Sequence, residues 1–453
     1  MLDILIADCR IPAGSSEPFM ASVGIRDGLI AGLYSDSDMP ARRRIEADGR
    51  PLIPGLIDPH VHWGYHPDDC RTETRSAALN GVTTVLRFHR QSYEYSDEHL
   101  AEQVAEVERE AYCNVGYHLT VMLGEQVDRM PAYAAGWGIP SFKMITGYRG
   151  YEFLNVVEND DAFILRALRQ VAKIPGAVAC LHCENTDLVE AATAEVKASG
   201  RNDLAAWNDA RPAYAEGEAI LRMAYLARLA GCPLYVVHLT SRDAVDALRE
   251  ARKLGIQVWG ETCAHYLTRT DDAPVHAKVA PPLRKAMDVE ALWAAIFDGT
   301  IDTLGTDHSP RSRSEKVAPT MWDTIVGNVG VGTLLPVLLS EGVNKRGLSL
   351  SRLVELTSAN PARIFHLPTK GRIEVGADAD LNLIDLDRER VVIPAEQGSM
   401  SDYSLYDGWT LRGWPVLTII NGQIAAEDGV LKAEPGAGRF IRRFPPRAAS
   451  RGS

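Results

Sequence analysis

The stretch Ile53-Pro54-Gly55-Leu56-Ile57-Asp58-Pro59-His60-Val61-His62 decides how the rest of the chain is read. It is an apolar run of strand length that ends in two histidines separated by one residue. Side chains two apart on a strand project to the same face, so His60 and His62 can present two imidazoles to one metal ion. A lone His-x-His is a weak signal, since buried histidines also serve as hydrogen-bonded core residues. Its weight depends on where the neighbouring strands end.

Working outward from residues 53–62, further strand-length apolar runs fall at 83–89, 114–121, 140–145, 177–183, 234–239, 257–266 and 303–307. Helix-length amphipathic stretches separate them, the rhythm that builds a parallel sheet. Ser96 is placed to cap one helix, with Asp97 and Glu98 suiting the positive end of its dipole. Ser241 is placed to cap residues 244–254, and Gly255 supplies the stop. Repeated βα units over residues 52–369 predict a closed (β/α)8 TIM-like barrel. An open doubly wound sheet is the alternative, but no Gly-rich phosphate turn supports it. The two ends of the chain have a different texture. Short β runs at 2–7, 21–25 and 29–33 are matched by runs near 371–376, 380–385 and 416–420, the last followed by the turn Asn421-Gly422. Residues 1–51 plus 370–453 are therefore expected to form one small β-sandwich domain beside the barrel. The Arg-rich tail from Arg439 to Arg451 reads as a solvated arm or a subunit contact.

Composition narrows the function classes. The 453 residues carry a formal charge of -12, which disfavours general attraction to nucleic acid or to an anionic membrane. Seven scattered cysteines fit reduced thiols better than a disulfide framework. The start, Met-Leu-Asp-Ile-Leu-Ile, lacks a basic n-region, and no uncharged apolar run reaches the roughly 18 residues of a membrane span. A cytoplasmic protein acting on a small molecule is the expectation.

The histidine pair gains weight from the other strand ends. His182, His238 and Asp307 each close a strand candidate, and in a barrel those ends meet at one mouth. Lys143 lies near the end of the fourth candidate. A protonated lysine about 4 Å from a dication would be repelled by roughly 8 kcal/mol at an effective dielectric of 20. Carbamylation by carbon dioxide turns that amine into an anionic bidentate bridge. Two dications offset by carbamate, Asp307 and hydroxide leave about one positive charge, which suits an oxyanion transition state.

The order His-x-His, Lys, His, His, Asp resembles the hydantoinase/dihydropyrimidinase branch of the cyclic amidohydrolases. The resemblance extends through His182-Cys183-Glu184-Asn185, Gly260-Glu261-Thr262-Cys263, Pro281-Pro282-Leu283-Arg284 and Gly305-Thr306-Asp307-His308 to Gly413-Trp414-Pro415-Val416. It implies that His60, His62 and Asp307 hold the more buried of two divalent metals, that His182 and His238 hold the other, and that Lys143 bridges them as N6-carboxylysine. Nitrogen and oxygen donors with hydrolytic chemistry point to zinc. The implied reaction opens a hydantoin- or dihydropyrimidine-like cyclic amide or imide. A bridging hydroxide attacks the ring carbonyl, Asp307 carries its proton to the leaving nitrogen, and Tyr148 polarises the carbonyl oxygen. Ala280 stands where the branch has a serine that contacts substrate through its backbone. A homotetramer is implied as well.

Departures from the branch concern the pocket. The loop Trp63 to Cys70 is short, and Trp63 stands where a dihydroorotase has arginine. The second strand ends in Arg87-Phe88-His89-Arg90, so Arg87 or Arg90 is expected to receive an anionic or strongly polar substituent. His182-Cys183-Glu184-Asn185 and Thr262-Cys263-Ala264-His265-Tyr266 lean toward allantoinases, which makes allantoinase or another cyclic imide hydrolase the alternative. A mononuclear deaminase would not need Lys143, and a non-catalytic scaffold homologue would not need the six donors. Cys180 and Cys183 read as packing residues, His308 as facing away from the mouth, and Glu216 and Glu218 as caps or pairs at a helix start.

Overall fold

The computed structural model describes residues 1–14, 16–91, 93–149 and 159–444. The apolar runs of the middle become one parallel sheet whose eight strands are ordered as in the sequence. They are Leu56–Val61, Val82–His89, Asn114–Thr120, Ser141–Ile145, Val178–His182, Leu234–Val236, Val258–Cys263 and Thr303–Gly305. Every residue of these strands is buried, as expected for a parallel sheet covered by helices outside and by its own side chains inside. The sheet closes on itself. The His62 N–H donates to the His308 carbonyl at 2.6 Å. The Asp58 carboxylate accepts from the His60 and Thr306 amides, both at 3.1 Å, and from the Thr306 hydroxyl at 2.5 Å. The fold is a (β/α)8 barrel.

Helix starts follow local chemistry. Ser96 accepts from the His99 amide ahead of Asp97–Glu110, and Ser241 accepts from the Ala244 amide ahead of Arg242–Arg252. Glu216 is buried and ties down the second of these starts by accepting from the Thr240 amide at 2.9 Å and the Ser241 hydroxyl at 3.0 Å.

The opening stretch differs from its reading in one respect: it makes two strands. Leu52–Pro54 pairs antiparallel with Leu381–Val391 in a terminal sheet, and the barrel strand begins only at Leu56. Gly55 makes the joint. Its amide donates to the Asp380 carbonyl at 2.7 Å, and a Cβ there would collide with the side chain of Thr83. Two sheets form the rest of the terminal layer. One has four strands, and the other has five, running from Leu52–Pro54 to Val430–Leu431. Ile4, Ile6, Val23 and Ile25 from the first pack with Leu381, Leu383, Leu417 and Ile419 from the second, so both ends of the chain share one sandwich core.

The basic tail corrects a second expectation. As far as residue 444 it packs along the barrel, with Arg439 and Arg442 exposed but Arg443 buried. Val115 donates to the Arg439 carbonyl at 2.9 Å and accepts from Ile441 at 2.8 Å, and the Phe440 ring lies edge-on to Tyr117. Arg443 is 1% exposed; its guanidinium donates to the Tyr117 carbonyl and, at 2.9 Å, to the Ser141 hydroxyl. One backbone carbonyl and one hydroxyl below the barrel take up a guanidinium that composition alone assigns to water. The remainder of the tail, 445–453, lies outside the described residues. Among the described residues no helix is long and apolar enough to cross a membrane, and all seven cysteines are free and buried.

Candidate active site

The strand ends converge on one cleft, lined by all six donors singled out above: His60, His62, Lys143, His182, His238 and Asp307. Two groups are distinct within it. In the first, the Asp307 Oδ1 lies 3.2 Å from His60 Nε2 and 3.2 Å from His62 Nε2, and the two imidazole nitrogens are 3.2 Å apart. The donor atoms of these three residues lie within 4.8 Å of one another, close enough to share one ion. In the second, His182 Nδ1 faces His238 Nε2 at 2.9 Å.

Buried carboxylates behind the histidines set which nitrogen faces the cleft. Glu261, wholly buried, accepts from His60 Nδ1 at 2.6 Å, from the His238 amide at 3.0 Å and from the Tyr235 hydroxyl at 2.7 Å. A carboxylate only accepts, so the His60 proton sits on Nδ1 and the Nε2 lone pair points at Asp307 and His62. Glu184 acts likewise on His182 Nε2 at 2.7 Å, leaving Nδ1 for the cleft. Arg211, 1% exposed, donates to both oxygens of Glu184. Burial alone raises the Glu184 carboxyl, but Arg211 and His182 outweigh it and bring it down to about 2. His238 Nδ1 is buried without a hydrogen-bond partner among the described residues.

Charge in the cleft follows from burial and these neighbours. Desolvation pushes His62 down to about 4 and lowers His182 and His238, so these imidazoles are neutral near pH 7. Burial pushes Asp307 up, yet the imidazoles around it prevail and hold it well below the usual carboxylate range, ionised. Lys143 is 3% exposed. Its Nζ sits 4.8 Å from the centre of the Phe88 ring and makes no hydrogen bond or ion pair among the described residues. Burial pushes that amine down to about 8. His238 and Asp307 have positive φ angles of 40° and 48°, a backbone cost of the kind that functional sites retain.

The other expected residues divide. Tyr148 lines the cleft, its ring edge-on to His182 at 4.8 Å and its hydroxyl 3.5 Å from the Ala280 carbonyl; Ala280 lines it too. Arg90 reaches the cleft, but Arg87 does not. Arg87 points away from the barrel interior and donates to the Trp63 carbonyl at 3.0 Å and to Gln103 at 3.1 Å. Strand alternation explains this. Phe88 turns inward against His60, so Arg87 must turn outward. His308 also turns away, pairing with Glu73 at 2.8 Å. Glu261, Glu184, Arg211, Tyr65 and Arg311 were missed as site residues. Of these, only Glu184 carried a signal, two residues after His182 and hence on its face.

A closed barrel whose C-terminal mouth gathers imidazole, carboxylate and amine donors has the architecture of a metal-assisted hydrolase. Residues 52–425 match the amidohydrolase family. The L-hydantoinase of Paenarthrobacter aurescens is 32% identical over 462 residues, covering 98% of this chain and 98% of that protein. An allantoinase of Rubrobacter xylanophilus is 34% identical over 97% of each chain. The crystal structure of dihydropyrimidinase from Brevibacillus agri matches with a TM-score of 0.91 at 29% identity, covering 99% of this chain and 100% of that one. The chain belongs to the amidohydrolase family, a metal-dependent family.

Proposed function

We propose that the protein is a binuclear-metal hydrolase that opens the C–N bond of a hydantoin- or dihydropyrimidine-like cyclic amide. The observation that carries this is the meeting of four imidazoles, one carboxylate and one buried amine at a single barrel mouth. The names of the most similar proteins support the ring class.

His60, His62 and Asp307 would hold one ion and His182 and His238 the other, with Lys143 between them as the carbamate. The donor set fits. Carboxylate-backed histidines aim bare nitrogens into the cleft, and a buried ammonium with no carboxylate beside it is costly until carbamylation removes its charge. Nitrogen and oxygen donors favour zinc. When bound, the two dications acidify a water and draw electron density from the ring carbonyl. The chain's own residues do the rest. The Ala280 carbonyl and the Tyr148 hydroxyl orient the ring amide, and Tyr148 donates to the carbonyl oxygen as charge develops there. Asp307, ionised, takes a proton from the attacking water on a carboxylate oxygen and delivers it to the ring nitrogen as the C–N bond breaks. Strained backbone at Asp307 and His238 keeps both side chains aimed before substrate arrives.

The homotetramer is part of the same proposal. Tyr214, Leu221, Tyr225 and Leu229 form an exposed apolar stripe on the helix Ala213–Ala230, a face suited to contact between copies. Free, buried thiols suit a cytoplasmic setting. The test is hydrolysis by metal-replete protein of dihydrouracil, 5-substituted hydantoins, allantoin, dihydroorotate and simple imides. Turnover of hydantoin or dihydrouracil is expected. Turnover of allantoin alone would move the assignment to the allantoinase alternative, and turnover of none would overturn it.

A further inference from the structure

Two arginines share the cleft with the six donors, and part of their hydrogen-bonding capacity is unused among the described residues. Arg90 follows the second barrel strand, half-buried at the cleft wall, and makes no hydrogen bond or ion pair among the described residues. Arg311 follows the eighth strand. Its guanidinium carbon lies 3.7 Å from the centre of the Tyr65 ring, and the side chain is 13% exposed. Nη1 donates to Glu315 at 3.1 Å, but Nε is buried with no hydrogen-bond partner among the described residues. Glu315 is divided, because it also accepts from the Ser312 amide at 2.7 Å and the Ser312 hydroxyl at 3.0 Å.

Topology puts these groups on one side. The second and eighth strands flank the first, whose following loop carries Tyr65. Arg90, Tyr65 and Arg311 therefore come from three adjacent loops. Tyr148 follows the fourth strand, half-way round the ring from the eighth. A ring amide held between Tyr148 and Asp307 lies in the same cleft as the two arginines, within reach of a substituent. Among the described residues the lining of that cleft holds a single acid, Asp307, which is already engaged by His60 and His62. An alkyl or aryl substituent would desolvate two guanidinium groups and pair with neither, which is unfavourable. A carboxylate satisfies both through charge-assisted hydrogen bonds, with Tyr65 holding the Arg311 plane flat.

We infer that Arg90 and Arg311 form an anion subsite, and that the natural substrate is a cyclic amide bearing a carboxylate on its ring substituent. This rests on the hydrolase reading of the same cleft.

The experiment compares two nearly isosteric probes, 5-(2-carboxyethyl)hydantoin and its neutral carboxamide, on metal-replete wild type, Arg90→Gln and Arg311→Gln. Calorimetric binding of both probes accompanies the kinetics. Loss of a charge-assisted pair predicts that wild type favours the carboxylate about tenfold or more, through KM and Kd, and that each variant removes most of that ratio. Arg311→Lys, which retains charge without the fork, is expected to restore part of it. A wild type indifferent to charge, or variants that keep the wild-type ratio, overturn the subsite. If neither ring is opened yet the carboxylate binds in an arginine-dependent way, the subsite stands and the hydrolase reading falls. If both rings are opened equally well, the hydrolase reading stands and the subsite falls.

Discussion

Replacing Glu261 by glutamine isolates the work of a buried carboxylate that touches no substrate. Glu261 accepts three hydrogen bonds, from His60 Nδ1 at 2.6 Å, the His238 amide at 3.0 Å and the Tyr235 hydroxyl at 2.7 Å. Glutamine keeps the shape and one acceptor. The amide oxygen can still take the His60 proton, while its NH2 turns to Tyr235, whose hydroxyl already lies 2.6 Å from Thr303. What disappears is the charge that makes His60 a stronger donor through Nε2. Carboxylates in this position are worth about 10- to 100-fold in metal affinity, or about 1.4–2.8 kcal/mol. Glu261→Ala goes further, leaving His60 Nδ1 and the His238 amide buried without acceptors at about 1–3 kcal/mol each. The assay is metal affinity by competition with a chelator, alongside urea unfolding. Expected are a Gln variant of near-native stability that binds metal 10- to 100-fold more weakly, and an Ala variant weakened in both respects. A Gln variant that held metal as tightly as wild type would refute the reasoning.

Other consequences can be checked with simpler assays. Asp307→Asn retains the barrel but cannot ferry a proton, so turnover should fall by about 10²- to 10⁴-fold with little change in melting temperature; activity near wild type contradicts the role. Arg211→Met strips Glu184 of its buried cation and should cost about 3–5 kcal/mol in urea unfolding, a loss that a surface pair would not show. The buried thiols, with Cys9, Cys70, Cys183 and Cys232 pushed up to about 12 by desolvation, should resist a disulfide reagent in the native protein and react in full after denaturation. Several fast-reacting native thiols would contradict that packing. Lys370 is buried between Asp378 and Asp380, and although burial lowers its pKa, the two carboxylates prevail and raise it. Its contribution is present below the ordinary lysine pKa and lost as pH rises through the raised one. Urea midpoints should therefore hold through the neutral range and fall only in strong alkali, with Lys370→Met less stable at neutral pH.

What was legible in the sequence was what repeats or alternates. His60 and His62 share a face because strands have a period of two, and His182, His238 and Asp307 were found because they close apolar runs of the same length. Lys143 followed from the electrostatics of its neighbours. The unread parts depend on partners distant in the chain. Glu261 supports His60 across 201 positions, and nothing local distinguishes it from an acid facing water. Arg311 enters the cleft through a loop whose path only the closed barrel defines. Arg87 was open to a better reading, since an inward Phe88 obliges its neighbour to point outward. The basic tail was misread because charge suggests solvent, whereas Arg443 finds a backbone carbonyl and a hydroxyl beneath the barrel.

The most direct test measures metal and carbamate together. Protein equilibrated with ¹³C-labelled carbon dioxide and dialysed against zinc should carry two ions per chain and one carbamate carbon resonance per chain. Both should diminish together in Lys143→Ala. Full metal occupancy with no carbamate signal, or a metal content indifferent to loss of the lysine, would contradict the assembly of these six side chains around a pair of cations.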